Sequence, residues 1–372
     1  MKFTCSQPIF QAAVSNVSRA VSSKSAIPAL EGILVKAKGN QIFLCGYDLE
    51  FGITTFVEAS VAEEGDVIFG AKLFGDIIRS LPDETVTIEV DAKYSAVIRS
   101  GESEFSIIGI AASEYPDLPS VSGGVSVTLP QNTLKSMIRQ TLFAVSTSDA
   151  KPVHTGTLFE IGDGRIRLVA VDGCRLAMRT EPVQCDEPVS FVVPGKTLSE
   201  VLKLMGEEDT PLSIGVGRRH IIFNIGSYSV ISRLLEGEFL DYNNAIPQNI
   251  KTEVVVPTRR FSEAVERMSL VVNDRLKSPV RCSFLFDEVR FSCETAIGCA
   301  HDRFAIKNIG DEVEIGFNNR YLLDALRAAE TDEVRIQMGG PLSPIKILPR
   351  DGDHFLFLVL PVRLKAAEHP VG

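Results

Sequence analysis

The pattern of apolar and polar positions predicts a chain built from three similar modules. Each module begins with a short alternating strand that runs into an amphipathic helix. These segments are residues 2–21, 126–145 and 253–272. Phe10, Leu134 and Phe261 hold corresponding places in them, at separations of 124 and 127 residues. A repeat of this length indicates one structural unit used three times.

A second strand-and-helix segment recurs in each module at residues 67–73, 191–197 and 315–321. A base, an acid and a second base come after each strand at positions i, i+4 and i+7, on one face of a helix. They are Lys72, Asp76 and Arg79; Lys196, Glu200 and Lys203; and Arg320, Asp324 and Arg327. The opposite face is apolar in all three, which is typical of a helix packed on a sheet.

Short apolar runs bounded by turn residues predict strands between the helices, as at residues 42–44, 166–169 and 289–292. The predicted fold class is therefore α+β, with three similar domains of two helices each packed on antiparallel sheets. We place the domains at residues 1–122, 123–250 and 251–364, followed by a tail at 365–372.

The net charge of the chain is negative, but the predicted helices are positively charged. The 372 residues carry 38 basic and 48 acidic side chains, a formal charge of −10, which taken alone argues against a nucleic-acid partner. The six predicted helices (7–24, 71–81, 130–148, 195–206, 258–273 and 318–329) carry +8 in 88 residues, so the other 284 carry −18. Any one helix would be an ordinary solvated face, but six of one sign indicate a collective, weakly basic surface. The acid between the two bases has two possible roles. It either forms an ion pair within its own helix or weakens the attraction of the helix to phosphates.

Enzymatic and metal-binding motifs are absent from the sequence. It contains no GxSxG, HExxH or P-loop pattern, and its seven cysteines include no C-x-x-C pair. We therefore predict no catalytic residue, cofactor or metal, and with no signal peptide we expect a cytosolic protein. Asp172, Arg175 and His154 could form a catalytic cluster, but an Asp-Gly-x-Arg turn held by an ion pair is the simpler interpretation.

Three short stretches carry a resemblance to a known family. They are Gly-Tyr-Asp-Leu-Glu at 46–50, Ala-Val-Asp-Gly-Cys-Arg-Leu-Ala at 170–177 and Leu-Pro-Val-Arg-Leu at 360–364. With the threefold repeat, they make the whole chain resemble the bacterial DNA polymerase III beta subunits, the sliding clamps. The resemblance implies a non-catalytic polymerase subunit that forms a head-to-tail homodimeric ring around duplex DNA, slides along it without reading sequence, and is associated with the nucleoid during replication.

The resemblance also implies the residues that face DNA and those that join two subunits. The expected DNA-facing cations are Arg19, Lys24, Lys72, Arg79, Lys135, Arg139, Lys196, Lys203, Arg259, Arg320 and Arg327. The candidates for the dimer interface are Phe105 at one end of the subunit and Leu270 and Val271 at the other.

A peptide pocket is the last feature that the resemblance implies. It would capture short motifs of the replicative polymerase, the clamp loader, other polymerases and repair proteins. Its expected walls are His154, Val171, Gly173, Cys174, Arg175, Leu176, Leu240, Asn244, Ala245, Tyr321, Pro344, Leu358, Val359, Leu360, Pro361, Val362, Arg363 and Leu364. Cys174 stands where the family often has His, and Asn244 where a base is common, so peptide preference is expected to differ.

Two other functions remain alternatives at this point. A repeat-built protein-interaction scaffold would use the same modules without encircling DNA, and it would be a monomer without salt-dependent DNA association. A small-molecule enzyme using Asp172, Arg175 and His154 ranks below both.

Overall fold

The computed structural model describes residues 1–82, 84–121, 124–185, 187–206, 208–272 and 278–364. Its contacts divide the chain into two compact units, residues 1–132 with 196–234 and residues 133–195 with 235–372, so that the division passes through the middle repeat. The predicted boundary between residues 122 and 123 and the predicted tail at 365–372 lie outside the described residues.

The described residues of the first repeat form nine strands and two helices. They are β1 (Lys2–Ser6), α1 (Gln7–Val17), β2 (Gly32–Lys38), β3 (Gln41–Tyr47), β4 (Phe51–Glu58), β5 (Ser60–Glu63), β6 (Gly65–Gly70), α2 (Ala71–Ser80), β7 (Thr85–Val90), β8 (Ser95–Ser100) and β9 (Ser103–Ile108).

The third repeat has the same order of elements, and among its described residues the second has one strand fewer between its two helices. The second contains β10 (Val125–Pro130), α3 (Gln131–Leu142), β11 (Gly156–Gly162), β12 (Arg165–Val171), β13 (Arg175–Pro182), β14 (Val189–Pro194), α4 (Gly195–Leu204), β15 (Pro211–Val216), β16 (His220–Ile225) and β17 (Tyr228–Arg233). The third contains β18 (Thr252–Pro257), α5 (Thr258–Ser269), β19 (Val280–Phe284), β20 (Glu288–Thr295), β21 (Gly298–Ala305), β22 (Asn308–Gly310), β23 (Val313–Phe317), α6 (Asn319–Ala328), β24 (Glu333–Met338), β25 (Ile345–Pro349) and β26 (Phe355–Val359).

In the part of the chain that the structure describes, each unit contains two antiparallel sheets. The first unit has a five-stranded sheet, β5-β1-β7-β8-β9, and an eight-stranded sheet, β10-β15-β16-β17-β4-β3-β2-β6. The second unit has a nine-stranded sheet, β14-β11-β12-β13-β26-β25-β24-β18-β22, and a four-stranded sheet, β21-β20-β19-β23. The α+β class with three repeated domains is confirmed.

The apolar helix faces are buried as predicted. In α1, Phe10 is fully buried and its ring meets that of Phe74 in α2 edge to face, with centroids 6.0 Å apart. In α5, Phe261 makes the same kind of contact with Phe291 of β20 at 5.0 Å. These rings fix each helix on its sheet, because buried aromatic side chains supply much of the core's contact area.

All six helices end before their predicted last residue, and two of them, the first and the third, end six or more residues early. The first was expected to reach residue 24, but after Val17 it tightens into a 3₁₀ turn at Ser18–Ala20 and the chain becomes extended at Val21. The third was expected to reach residue 148, but Ser146 donates its backbone N–H to the carbonyl of His154 at 2.9 Å. A distant backbone partner thus replaces the next helical turn.

Candidate functional site

The turn between β12 and β13 forms the centre of the candidate site. One carboxylate oxygen of Asp172 accepts the backbone N–H of Cys174 at 2.9 Å and that of Arg175 at 3.1 Å. Gly173, between them, has φ +87°, a conformation that glycine adopts without steric strain. The Asp-Gly-Cys-Arg sequence therefore folds locally into a capped turn that starts β13 at Arg175.

The Arg175 guanidinium is held on four sides. Its Nε lies 2.8 Å from Asp172 Oδ2 and its Nη1 lies 2.5 Å from Asp324 Oδ2. It also lies over the rings of Tyr321 and Phe143, 4.7 and 5.5 Å from their centroids. The side chain is only 12% exposed. These contacts are those of a structural ion pair, as the simpler interpretation of the Asp-Gly-x-Arg sequence predicts.

The last strand of the chain lies beside this turn. Arg175 and Leu176 of β13 pair with Val359 and Leu358 of β26, and Leu360 continues the edge by donating its N–H to the Cys174 carbonyl at 2.9 Å. Backbone pairing thus brings the predicted wall segments 171–176 and 358–362 together, although they are far apart in sequence.

An apolar cluster forms the floor beneath these segments. Val171, Leu176 and Leu358 are almost fully buried in it, together with Tyr242. Leu240 and Leu360 remain 42% and 39% exposed. Buried leucine and valine beneath exposed leucine are typical of a surface that anchors an apolar side chain.

His154 contributes to a cleft next to the apolar cluster. Its ring meets that of Phe239 edge to face at 5.3 Å, and the cleft between residues 150–154 and 236–241 has a volume of about 490 Å³. Burial lowers the pKa of His154, and the charge of Lys151 lowers it further. Both effects favour the neutral imidazole, which suits contact with apolar ligands.

The remaining predicted wall residues occupy the rim. Gly173, Cys174, Asn244, Ala245 and Arg363 are exposed, whereas Tyr321, Pro344, Pro361, Val362 and Leu364 are half-buried. Asn244 donates to the carboxylate of Asp241 at 2.7 Å. Burial raises the pKa of Tyr321, as do Cys174 and Asp172. The pocket as a binding site stays a prediction.

Most predicted DNA-facing cations are exposed, with one clear exception. Exposed members are Arg19, Lys24, Lys72, Arg79, Arg139, Lys196, Lys203, Arg259, Arg320 and Arg327. Lys135 is only 7% exposed. Lys24 lies in the loop after α1 and not on a helix, because that helix ends early.

The acid that recurs in the second helix of each repeat has two kinds of partner. Asp76 pairs with Arg79 at 3.2 Å and Glu200 pairs with Lys203 at 2.7 Å, both within one helix. Asp324 pairs instead with Arg175, and its neighbour Arg327 pairs with Glu266 of α5 at 2.8 Å. The intrahelical interpretation holds for two repeats and is wrong for the third.

One predicted interface residue lies on an edge strand, and the other two directly follow a helix. Phe105 is half-buried on the edge strand β9, where Ile108 is 83% exposed. Leu270, just after α5, is 81% exposed and Val271 is half-buried, while Ile297, in the turn before the edge strand β21, is 70% exposed. Among the described residues, β9 and β21 are therefore sheet edges without a further strand beside them, and exposed apolar side chains lie on or next to both.

Within the described ranges, no group of three or more His, Cys, Asp and Glu side chains could hold a metal ion. In the same part of the chain, no helix is long and apolar enough to cross a membrane.

Comparison with known proteins assigns the family. Sequence profiles of the DNA polymerase III beta subunit match in order: the N-terminal domain at residues 1–119, the central domain at 128–241 and the C-terminal domain at 243–363. The chain belongs to this family. The beta sliding clamps of Halalkalibacterium halodurans and Bacillus subtilis are 36% and 33% identical to it, each alignment covering 98% of this chain and 100% of the relative.

Solved structures agree with the sequence relatives. The crystal structure of the Bacillus subtilis sliding clamp has a TM-score of 0.95 and 32% identity, and that of a Pseudomonas aeruginosa sliding clamp bound to griselimycin has a TM-score of 0.94 and 28% identity. Both cover 98% of this chain, which covers 100% of each. As a sliding clamp, the chain is a non-catalytic processivity factor of DNA replication.

Sequence reasoning missed several residues at these sites. Phe143 and Asp324 hold Arg175, Phe239 packs on His154, and Ile108 is the most exposed apolar side chain of β9. One signal indicates that Arg175 needs a partner of its own. The residue 124 positions before it is Phe51, so the first repeat has no arginine there, and a buried guanidinium requires acidic acceptors.

Proposed function

We propose that two copies of this chain close head to tail into a ring around duplex DNA, and that the ring tethers the replicative polymerase through a peptide pocket. The observation that carries the proposal is the match of all three clamp-domain profiles in order along the chain. The scaffold alternative is not favoured, because the relatives of the whole chain are sliding clamps.

The unpaired strand edges support the head-to-tail contact. In this proposal β9 of one copy pairs with β21 of the other, and Ile108, Leu270 and Ile297 become buried at the joint. A contact between two different surfaces closes into a ring when its rotation closes. Two such joints of exposed apolar side chains and unpaired backbone would hold two subunits together.

The exposed helix cations support contact with the DNA backbone. Several of them have an acidic partner already, as in the pairs Lys196–Asp48 at 3.3 Å and Arg259–Glu263 at 2.8 Å. Partial neutralisation leaves an attraction to phosphates that is weak and independent of sequence. Such a surface allows the ring to slide, which a protein held by topology requires.

The floor of Val171, Leu176 and Leu358 supports capture of short apolar peptides. The Pseudomonas aeruginosa relative was solved bound to griselimycin, and we propose that this chain binds that compound at the floor formed by Val171, Leu176 and Leu358. Partners that carry suitable peptides would be the replicative polymerase subunit, the clamp loader, other polymerases and repair proteins. They would meet the ring on the nucleoid during replication.

Sedimentation of the wild-type chain and an interface variant tests the ring. The wild type is expected to have the mass of a dimer at micromolar concentration. Ile108→Asp together with Leu270→Asp should give a folded monomer, because each change buries a charge at the joint. Phe286→Asp, at a side chain that is 65% exposed elsewhere in the third repeat, is the matched control and should stay dimeric. A wild-type monomer at micromolar concentration would contradict the proposal.

A further inference from the structure

The acid in the second helix of the third repeat differs from its two counterparts in what it touches. Asp76 and Glu200 each pair with a base three residues later in their own helix. Asp324 points its Oδ2 to Arg175 Nη1 at 2.5 Å, 149 residues away in sequence. The acid at this position therefore has a partner within its own helix in the first two repeats and a distant partner in the third.

Arg175 depends on that contact because it is almost enclosed. Its Nε is already bonded to Asp172, and its faces are covered by Tyr321 and Phe143. A guanidinium that is 12% exposed loses most of its hydration and needs acceptors for its remaining N–H groups. Asp324 supplies such an acceptor from α6.

The position of Arg175 determines the position of the pocket wall. Arg175 is the first residue of β13 and pairs in register with Val359, and the Cys174 carbonyl just before it accepts the Leu360 N–H. A shift of the guanidinium would therefore move the turn at residues 172–175 and the exposed Leu360 together.

We infer that Asp324 is a positioning residue of the peptide pocket, which holds Arg175 and through it the wall formed by the 172–175 turn and Leu360. This inference rests on the proposed peptide function. Tyr321, three residues before Asp324 on α6, faces the same guanidinium, so one helix supplies both the carboxylate and a ring.

Griselimycin binding measured by calorimetry tests the inference. Asp324→Asn removes the charge at nearly constant volume and is expected to weaken binding about tenfold, since a charge-assisted hydrogen bond becomes a neutral one. Asp324→Glu keeps the charge, so its affinity for griselimycin should lie between that of Asp324→Asn and that of the wild type. The matched controls are Asp76→Asn and Glu200→Gln, which should bind like the wild type.

A double-mutant cycle separates positioning from a general effect on folding. In an Arg175→Met background, Asp324→Asn is expected to change the affinity no further, because the group that it positions is gone. Equal affinity of Asp324→Asn and wild type, or an undiminished effect in the Arg175→Met background, overturns the inference. If Asp324→Asn does not fold, Asp324→Glu is compared with Glu200→Asp, and affinity loss in the first alone is expected. A wild-type chain that does not bind griselimycin contradicts the proposed pocket, a different result from an unaffected variant.

Discussion

The turn at Asp48 and the turn at Asp172 have the same hydrogen-bond pattern, but different residues surround them. Asp48 Oδ1 accepts the N–H groups of Glu50 and Phe51 at 3.0 and 2.7 Å, as Asp172 does those of Cys174 and Arg175. The residue after each aspartate has a positive φ, +77° at Leu49 and +87° at Gly173.

The strands that leave the two turns begin with different residues and have different partners. The first turn leads into Phe51, which is 3% exposed, and β4 pairs with β17, whose Ser232 and Arg233 are polar. The second turn leads into Arg175, and β13 pairs with β26, which is apolar and buried throughout.

A turn that recurs in two repeats can thus become part of a binding site in one of them when a few residues around it differ. The aspartate and the turn are shared, so they serve the fold. The arginine, its second acid and the apolar edge that ends in exposed Leu360 occur at the second turn, and those features are the ones that can serve a ligand.

The largest expected effect comes from replacing the residue that distinguishes the turns. Arg175→Ala leaves the carboxylates of Asp172 and Asp324 without their shared cation, so we expect about 3 kcal/mol less stability and about hundredfold weaker griselimycin binding. Phe51→Ala should destabilise the fold by about 3 kcal/mol through a cavity, yet leave griselimycin binding unchanged. Urea unfolding and calorimetry measure the two quantities. If Arg175→Ala and Phe51→Ala lost griselimycin binding equally, the turn at Asp172 would have no special role in binding.

A smaller effect is expected at the exposed leucine near each turn. Leu360→Ala should weaken griselimycin binding about tenfold, because an anchoring contact at the rim is lost. Leu49→Ala, at a leucine of similar exposure beside the first turn, should not change it. Both variants should remain dimers by sedimentation. A monomeric Leu360→Ala would place that residue in the dimer contact instead.

The smallest perturbation uses the cysteine near each turn. Burial raises the pKa of Cys45 to about 12, whereas Cys174 is exposed. A thiol reagent at pH 8 should therefore label Cys174 at least about a hundred times faster than Cys45, as read by peptide mass spectrometry. Griselimycin should slow labelling of Cys174 and leave the labelling rate of the half-buried Cys185 unchanged. Labelling of Cys174 that does not respond to griselimycin would place the ligand elsewhere.

Local patterns in the sequence predict the repeated modules because their causes are local. The apolar spacing around Phe10 and Phe261 determines a helix face, and an aspartate followed by glycine determines a capped turn at Asp172. The fold class, the family and the pairing of Asp172 with Arg175 are all predictable from such features.

Interactions between distant residues were beyond sequence reasoning. The partner of Arg175 on α6 is 149 residues away, and the end of α3 depends on the carbonyl of His154. Lys135 has the helical spacing of an exposed cation, yet tertiary packing buries it. Periodicity shows which face of a helix is polar but not what covers that face.

Retention on DNA tests the central claim of a sliding ring most directly. The wild-type chain is loaded onto a nicked circular plasmid by the clamp loader of the same organism, separated from free protein, and the circle is then cut once. We predict that the chain stays on the intact circle through a wash in high salt and leaves within minutes of linearisation by sliding off the ends. Equal retention on circular DNA and on linear DNA with free ends would contradict the account.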